Sequence, residues 1–106
     1  MSKKMIDFSK IEGPVYTGRD RGEKLRVELK LDEMDRGHDK VSVHIPASTY
    51  TVSSSFFLGL FGPSILKFGT KEDFYNHYEF DLPDYLRNIT ESYVIRALQT
   101  RNLFNQ

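Results

Sequence analysis

The sequence predicts an α/β fold on two observations. Short runs with apolar residues at every second position take turns along the chain with longer runs spaced by three and four. The expected order is strand, helix, strand, helix, strand, helix, which argues for a small, largely parallel or mixed sheet layered against helices. No internal repeat, low-complexity tract or linker-like stretch interrupts this order, so residues 1–106 read as one domain.

The elements follow in turn. Met5-Ile-Asp-Phe8 predicts a short strand, and Gly13-Pro14 marks the loop after it. Thr17 is placed to cap a helix, with Asp20 where a capping-box acid sits. The segment 18–34 fits two patterns. Leu25, Val27, Leu29 and Leu31 alternate with charges as in a strand, while Leu25/Leu29 and Val27/Leu31/Met34 satisfy helical spacing. Its richness in Glu, Lys, Arg and Leu and the cap at Thr17 favour helix over a hairpin with the next strand.

After a turn at Gly37-His-Asp39, Val41, Val43 and Ile45 line one face of a strand that Pro46 ends. Tyr50-Thr-Val52 gives a brief extended piece, and helix is expected from Ser54 or Ser55. Phe57, Leu60, Phe61, Ser64, Ile65 and Phe68 put one strongly apolar face on that helix. Gly59 and Gly62 allow close approach of a neighbour, Pro63 should kink or split the helix, and Gly69 should stop it. Thr70 with Asp73 predicts another capped turn, Tyr78–Leu82 alternates as a strand, and Pro83 stops it. Ile89, Tyr93, Val94, Ala97 and Leu98 mark a last amphipathic helix, with Thr90 as its expected cap and Ile89/Val94 as a hydrophobic staple.

Composition narrows the function classes. The chain has 106 residues, 39% of them apolar and 28% charged, which is enough for one core burying roughly 65% of the unfolded surface. Eight Phe and six Tyr supply the bulk in the absence of Trp. Fifteen basic and fifteen acidic residues cancel, which weighs against broad nucleic-acid or membrane binding. The absence of cysteine excludes disulfides, thiolate metal sites and cysteine nucleophiles, and fits a reducing compartment. The start MSKKMIDFSK has no apolar signal region, and the run Phe56–Phe61 is far short of the roughly 20 residues of a membrane span. A soluble, cytoplasmic protein is expected.

Histidines 38, 44 and 77 are scattered without ligand spacing, so no metal site or cofactor is expected, and Glu33 and Asp35 beside His38 read as a solvated turn. There is no nucleophile elbow, phosphate loop or dinucleotide fingerprint, and no catalysis is expected. Two features stand out. Arg19 and Arg21 at an expected helix start oppose the macrodipole, which suits them to an external carboxylate or phosphate; the plainer reading is a solvated turn with Arg19/Glu23 and Asp20/Lys24 pairs. Ser53, Ser54 and Ser55 precede the most apolar run, where one serine suffices for a cap and a phosphate would meet the positive end of a helix. Phe56, Tyr75, Tyr78 and Tyr85 are the aromatics expected to form a partner or homodimer surface where exposed.

Several segments together resemble the STAS-like domain family of unknown function: G-R-D-R-G-E-K-L-R (18–26), V-S-V-H-I-P (41–46), S-S-F-F-L-G-L-F-G-P-S-I (54–65), F-Y-N-H-Y-E-F (74–80) and I-T-E-S-Y-V-I-R-A-L (89–98). The resemblance implies a fold related to anti-sigma-factor antagonists, a small mixed sheet with helices packed mainly on one face. It also implies a histidine-kinase-like ATPase as partner and phosphorylation of a serine at the start of the helix after a central strand. Ser55 is the closest match to that position, with Ser54 beside it. The antagonist motif reads D-S-S-G; here Val52 precedes the serines and Phe56 follows them. The resulting expectation is a non-enzymatic regulatory interaction module. The alternatives are a nucleic-acid or nucleotide binder using Arg19, Arg21, Lys24 and Arg26, and a small hydrolase built on the serines.

Overall fold

A computed structural model describes the backbone of residues 4–104 and the side chains of residues 4–99. Strand β1 (Lys4–Asp7) leads into a single 3-10 turn, Phe8–Lys10, then β2 (Val15–Tyr16), α1 (Arg19–Glu28) and α2 (Leu31–Arg36). They are followed by β3 (Val41–His44), β4 (Thr51–Val52), α3 (Ser54–Phe68), α4 (Lys71–His77), β5 (Tyr78–Asp81) and α5 (Asp84–Phe104). The α/β class is as the alternating periodicities predict.

The main sheet has the order β1-β3-β5, with every pairing parallel and in the registers Lys4↔Val41 and Val41↔Tyr78. A separate parallel pair joins Val15 to Thr51 and Tyr16 to Val52. Spatial order equals chain order in the main sheet, so right-handed crossovers carry their helices to the same face. Burial agrees: Ile6, Val41, Val43 and Tyr78 are sealed on that face, while Met5 and Asp81 on the other are exposed. Parallel sheets are normally covered on both sides. Here the second face is polar instead, with His44 Nδ1 and Asp81 Oδ2 2.9 Å apart across neighbouring strands. Beside them the Ser9 hydroxyl and amide hold the Asp7 carboxyl below its ordinary range.

Helix α3 is the hub, buried at Phe56, Phe57, Gly59, Leu60, Phe61, Ser64 and Ile65. It packs on α1, α2, α4 and α5. The Ser53 hydroxyl caps it by accepting from the Phe56 amide at 3.1 Å, and Gly69 in the left-handed region (φ 82°) closes it. Thr70 caps α4 through the Asp73 amide at 3.1 Å.

Several expectations are corrected. Thr17 is not a cap: the turn into α1 needs φ 92° at residue 18, a conformation that suits Gly18 and not a β-branched residue. The segment 18–34 is helical but broken, because Lys30 adopts φ 58° and redirects the chain so that Leu31 enters the core. A left-handed lysine costs roughly 1–2 kcal/mol, and burying a leucine returns about as much. Val27, assigned to the apolar face, is 77% exposed, and the buried positions of α1 are Gly22 and Arg26. Pro63 does not split α3, which runs continuously through it. Nor does Thr90 cap α5. The helix starts after Pro83, and the Thr90 hydroxyl donates back to the Leu86 carbonyl at 2.9 Å, the usual option for threonine inside a helix. Ile89 is exposed, so no staple forms with Val94.

Candidate functional site

The three serines stand where β4 feeds α3. The Ser53 amide donates to the Tyr16 carbonyl at 2.9 Å, which ties the helix start to β2. From α5, the Tyr93 hydroxyl donates to the Val52 carbonyl at 2.9 Å. The helix start is thus held from two sides, and Ser53 is occupied as the cap. Ser54 and Ser55 begin the first turn, and Ser55 is exposed. Neither of these two hydroxyls has a hydrogen-bond partner among the described residues. Among the described residues no imidazole or carboxylate is hydrogen-bonded to any of the three, whereas a nucleophilic serine is activated by such a base. What the geometry offers is a hydroxyl beside the unpaired amides at the positive end of a 15-residue helix.

The arginines before it divide. Arg19 is exposed and lies 4.0 Å from Glu23, the pair expected of a solvated turn. Arg21 turns back over the preceding loop. It donates to the Val15 carbonyl at 2.8 Å and to the Glu12 carbonyl, and its guanidinium covers the Tyr16 and Phe56 rings at 5.2 and 5.7 Å. It therefore braces the β2 loop against the first turn of α3, next to the serines.

Arg26 is buried. One guanidinium nitrogen donates to the Leu60 carbonyl at 2.9 Å and the Ser64 hydroxyl at 2.8 Å. The other reaches Asp35 at 2.8 Å and the exposed Asp32 at 2.7 Å. Asp35 also accepts from Ser64 at 2.8 Å and from the Tyr78 hydroxyl at 2.5 Å. Burial and this bond to a carboxylate push the Tyr78 phenol well above its ordinary range. Asp35 was expected in a solvated turn; three donors instead hold it inside, joining α1, α2, α3 and β5. The sequence carried one trace of this network, Ser64 lying on the apolar stripe of α3.

The expected interface aromatics also divide. Phe56 and Tyr78 are fully buried, Tyr75 is half-buried, and Tyr85 is exposed. A cleft of about 320 Å³ opens between β5 and α5, with Phe57, Phe80 and Leu82 among its apolar lining and Tyr75, Arg87 and Glu91 as polar neighbours. Burial and the nearby Glu91 push the Tyr75 phenol up to about 12, against the opposing pull of Arg87.

Among the described residues no cluster of His, Asp and Glu is arranged to hold a metal, and His77 is engaged at 2.7 Å with the Met34 carbonyl. No helix among them is long and apolar enough to cross a membrane. No family model matches the chain, and no curated protein or solved structure matches it.

Proposed function

We propose that this chain is a non-enzymatic regulatory module, acting in the cytoplasm, that binds a histidine-kinase-like ATPase or similar signalling partner through the start of α3. One observation carries the reading: Ser53 alone supplies the cap, which leaves the hydroxyls of Ser54 and Ser55 unengaged at the positive end of the hub helix. A phosphate on Ser55 would add a charge of about −1.5 to −2 there, stabilised by the helix dipole while changing what the surface attracts. Arg21 already clamps the adjoining loop and Arg19 stays exposed nearby, so Arg19 is the cation of the pair better placed for an anionic partner group.

The nucleic-acid alternative draws less support. Arg26 of its four cations is buried against carboxylates, and Arg21 is committed to backbone carbonyls. The test is to incubate the protein and ATP with the histidine-kinase-like ATPase encoded nearest its gene, then map any phosphate by mass spectrometry. Modification of Ser55, lost in Ser55→Ala and kept in Ser53→Ala, is the expected result. The absence of both a phosphate on 53–55 and a complex by size-exclusion would sink the proposal.

A further inference from the structure

We propose that the outer edge of β5 is a docking site for an extended peptide strand whose residues alternate between basic and apolar. The inference rests on β5 and the cleft beside it, independently of the serines.

Among the described residues, strand β5 pairs with β3 on one side only. The Ile45 amide donates to the Asp81 carbonyl at 2.8 Å, which points the backbone groups of Asp81 toward β3. In a parallel ladder the amide and carbonyl of one residue point to the same side and successive residues alternate. Glu79 therefore also faces β3, and the amide and carbonyl of Phe80 face outward, with no backbone partner among the described residues. Of the neighbouring outward groups, the Tyr78 amide donates to the Phe74 carbonyl and the Leu82 carbonyl accepts from Arg87 at 3.3 Å. The Phe80 amide and carbonyl thus lie open at the middle of this edge, the pattern an added strand completes.

Side chains set the occupant. On the helix side of the edge lies the cleft, whose lining includes Phe57, Phe80 and Leu82; its volume is at the low end of the roughly 300–1,000 Å³ of ligand pockets. On the open side stand Glu79, 4.0 Å from Lys40, and Asp81, 2.9 Å from His44, with side chains 57% and 80% exposed and therefore open to further cations. A strand added here sends alternate side chains into the cleft and alternate ones beside the two carboxylates. That selects apolar residues at one set of positions and Lys or Arg at the other. The same carboxylates disfavour a second copy, because a twofold β5–β5 pairing would bring Glu79 and Asp81 close to their own counterparts on one face. Short length and charge are the usual protection of an edge against self-association, and β5 has both.

The experiment is amide hydrogen exchange by NMR on the full chain, titrated with the capped peptide Lys-Val-Lys-Val-Lys-Val. Exchange of the Phe80 amide should slow by about tenfold or more on saturation, with Val43 in the sheet centre unchanged. The block peptide Lys-Lys-Lys-Val-Val-Val should leave Phe80 unprotected. Glu79→Lys with Asp81→Lys should weaken the alternating peptide by roughly tenfold, two lost cross-strand charge pairs. Equal binding of the block peptide, protection mapping away from β5, or no protection at millimolar peptide would each overturn the proposal. So would concentration-dependent protection of Phe80 without peptide, which would make a second copy the occupant.

Discussion

The two sides of α3 reach their partners by opposite means. Toward α1 the contact is made by the absence of side chains: a Cβ on Gly22 would lie 2.3 Å from the Phe56 carbonyl, and one on Gly59 would lie 2.5 Å from the Arg19 carbonyl. Next to this close crossing, Arg26 bonds directly to Leu60 and Ser64. Toward the sheet and α5 the contact is made by bulk. Phe57 packs at 5.1 Å from Phe61 and 5.5 Å from Tyr93, and Phe61 at 5.3 Å from Phe80 and 5.6 Å from Tyr78. The first side depends on direction and distance, the second on volume, and the two should fail differently.

The sharpest break is Arg26→Met, which leaves the Asp35 carboxylate buried without its cation. Removing one partner of a buried ion pair costs about 3–5 kcal/mol, so chemical denaturation should show a loss of that size. Arg26→Lys should recover little of it, since an ammonium does not reproduce the fork that serves Leu60, Ser64 and Asp35 together. On the other side Phe61→Ala should cost a comparable ~3–5 kcal/mol, yet Phe61→Met should return most of it, because volume is what that side requires. If Arg26→Lys were as mild as Phe61→Met, the distinction between the two sides would be wrong.

Next in size is Gly59→Ala. Its methyl meets backbone and not a flexible side chain, so the helices must part, at roughly 1–3 kcal/mol despite alanine's better helix propensity. A neutral result in thermal unfolding would mean the crossing is looser than its geometry. Ser53→Ala serves as a control on the helix common to both sides. Loss of the cap should cost ~1 kcal/mol, and Ser55→Ala, which removes no bond, less than about 0.5 kcal/mol.

The smallest effect at neutral pH is the one set by tyrosine ionisation. Burial raises the phenols of Tyr16, Tyr75, Tyr78 and Tyr93 above their ordinary value, Tyr75 to about 12. A raised folded value means the stabilisation is fully present below the unfolded value near 10 and is lost as pH climbs through the folded one. Stability should therefore be insensitive to these groups below about pH 10 and fall above it. Phenolate absorbance of Tyr75 and Tyr78 should appear only well above pH 10; ionisation of either near the ordinary value in the folded state would contradict their burial.

The apolar side of α3 was legible in the sequence, because Phe57, Phe61 and Ile65 repeat at helical spacing and Ser53, Gly69 and Thr70 use local chemistry to begin and end helices. Strands β3 and β5 were legible for the same reason, through alternation. The polar side was not. Arg26 and Asp35 have the composition of a solvated surface, and only the crossing of α1 over α3 turns them inward. Lys30 was hidden because its left-handed backbone answers to the burial of Leu31 and to no local preference of lysine. The place of the three serines at the start of α3 could be read from sequence, but which of them caps the helix needed the geometry.

The strand registers have a kinetic consequence. Pairing β1 with β3 joins residue 4 to 41, and pairing β3 with β5 joins 41 to 78, the same interval twice in a sequence without repeats. Chain-closure entropy depends on the logarithm of loop length, so neither pairing starts with an advantage. The intervening chain decides. The later interval carries α3 with its continuous aromatic stripe, while the earlier carries α1, whose buried positions are a glycine and an arginine. The β3–β5 half should therefore condense first and template the β1 edge. Phe80→Leu should slow folding, whereas Ile6→Val should chiefly speed unfolding.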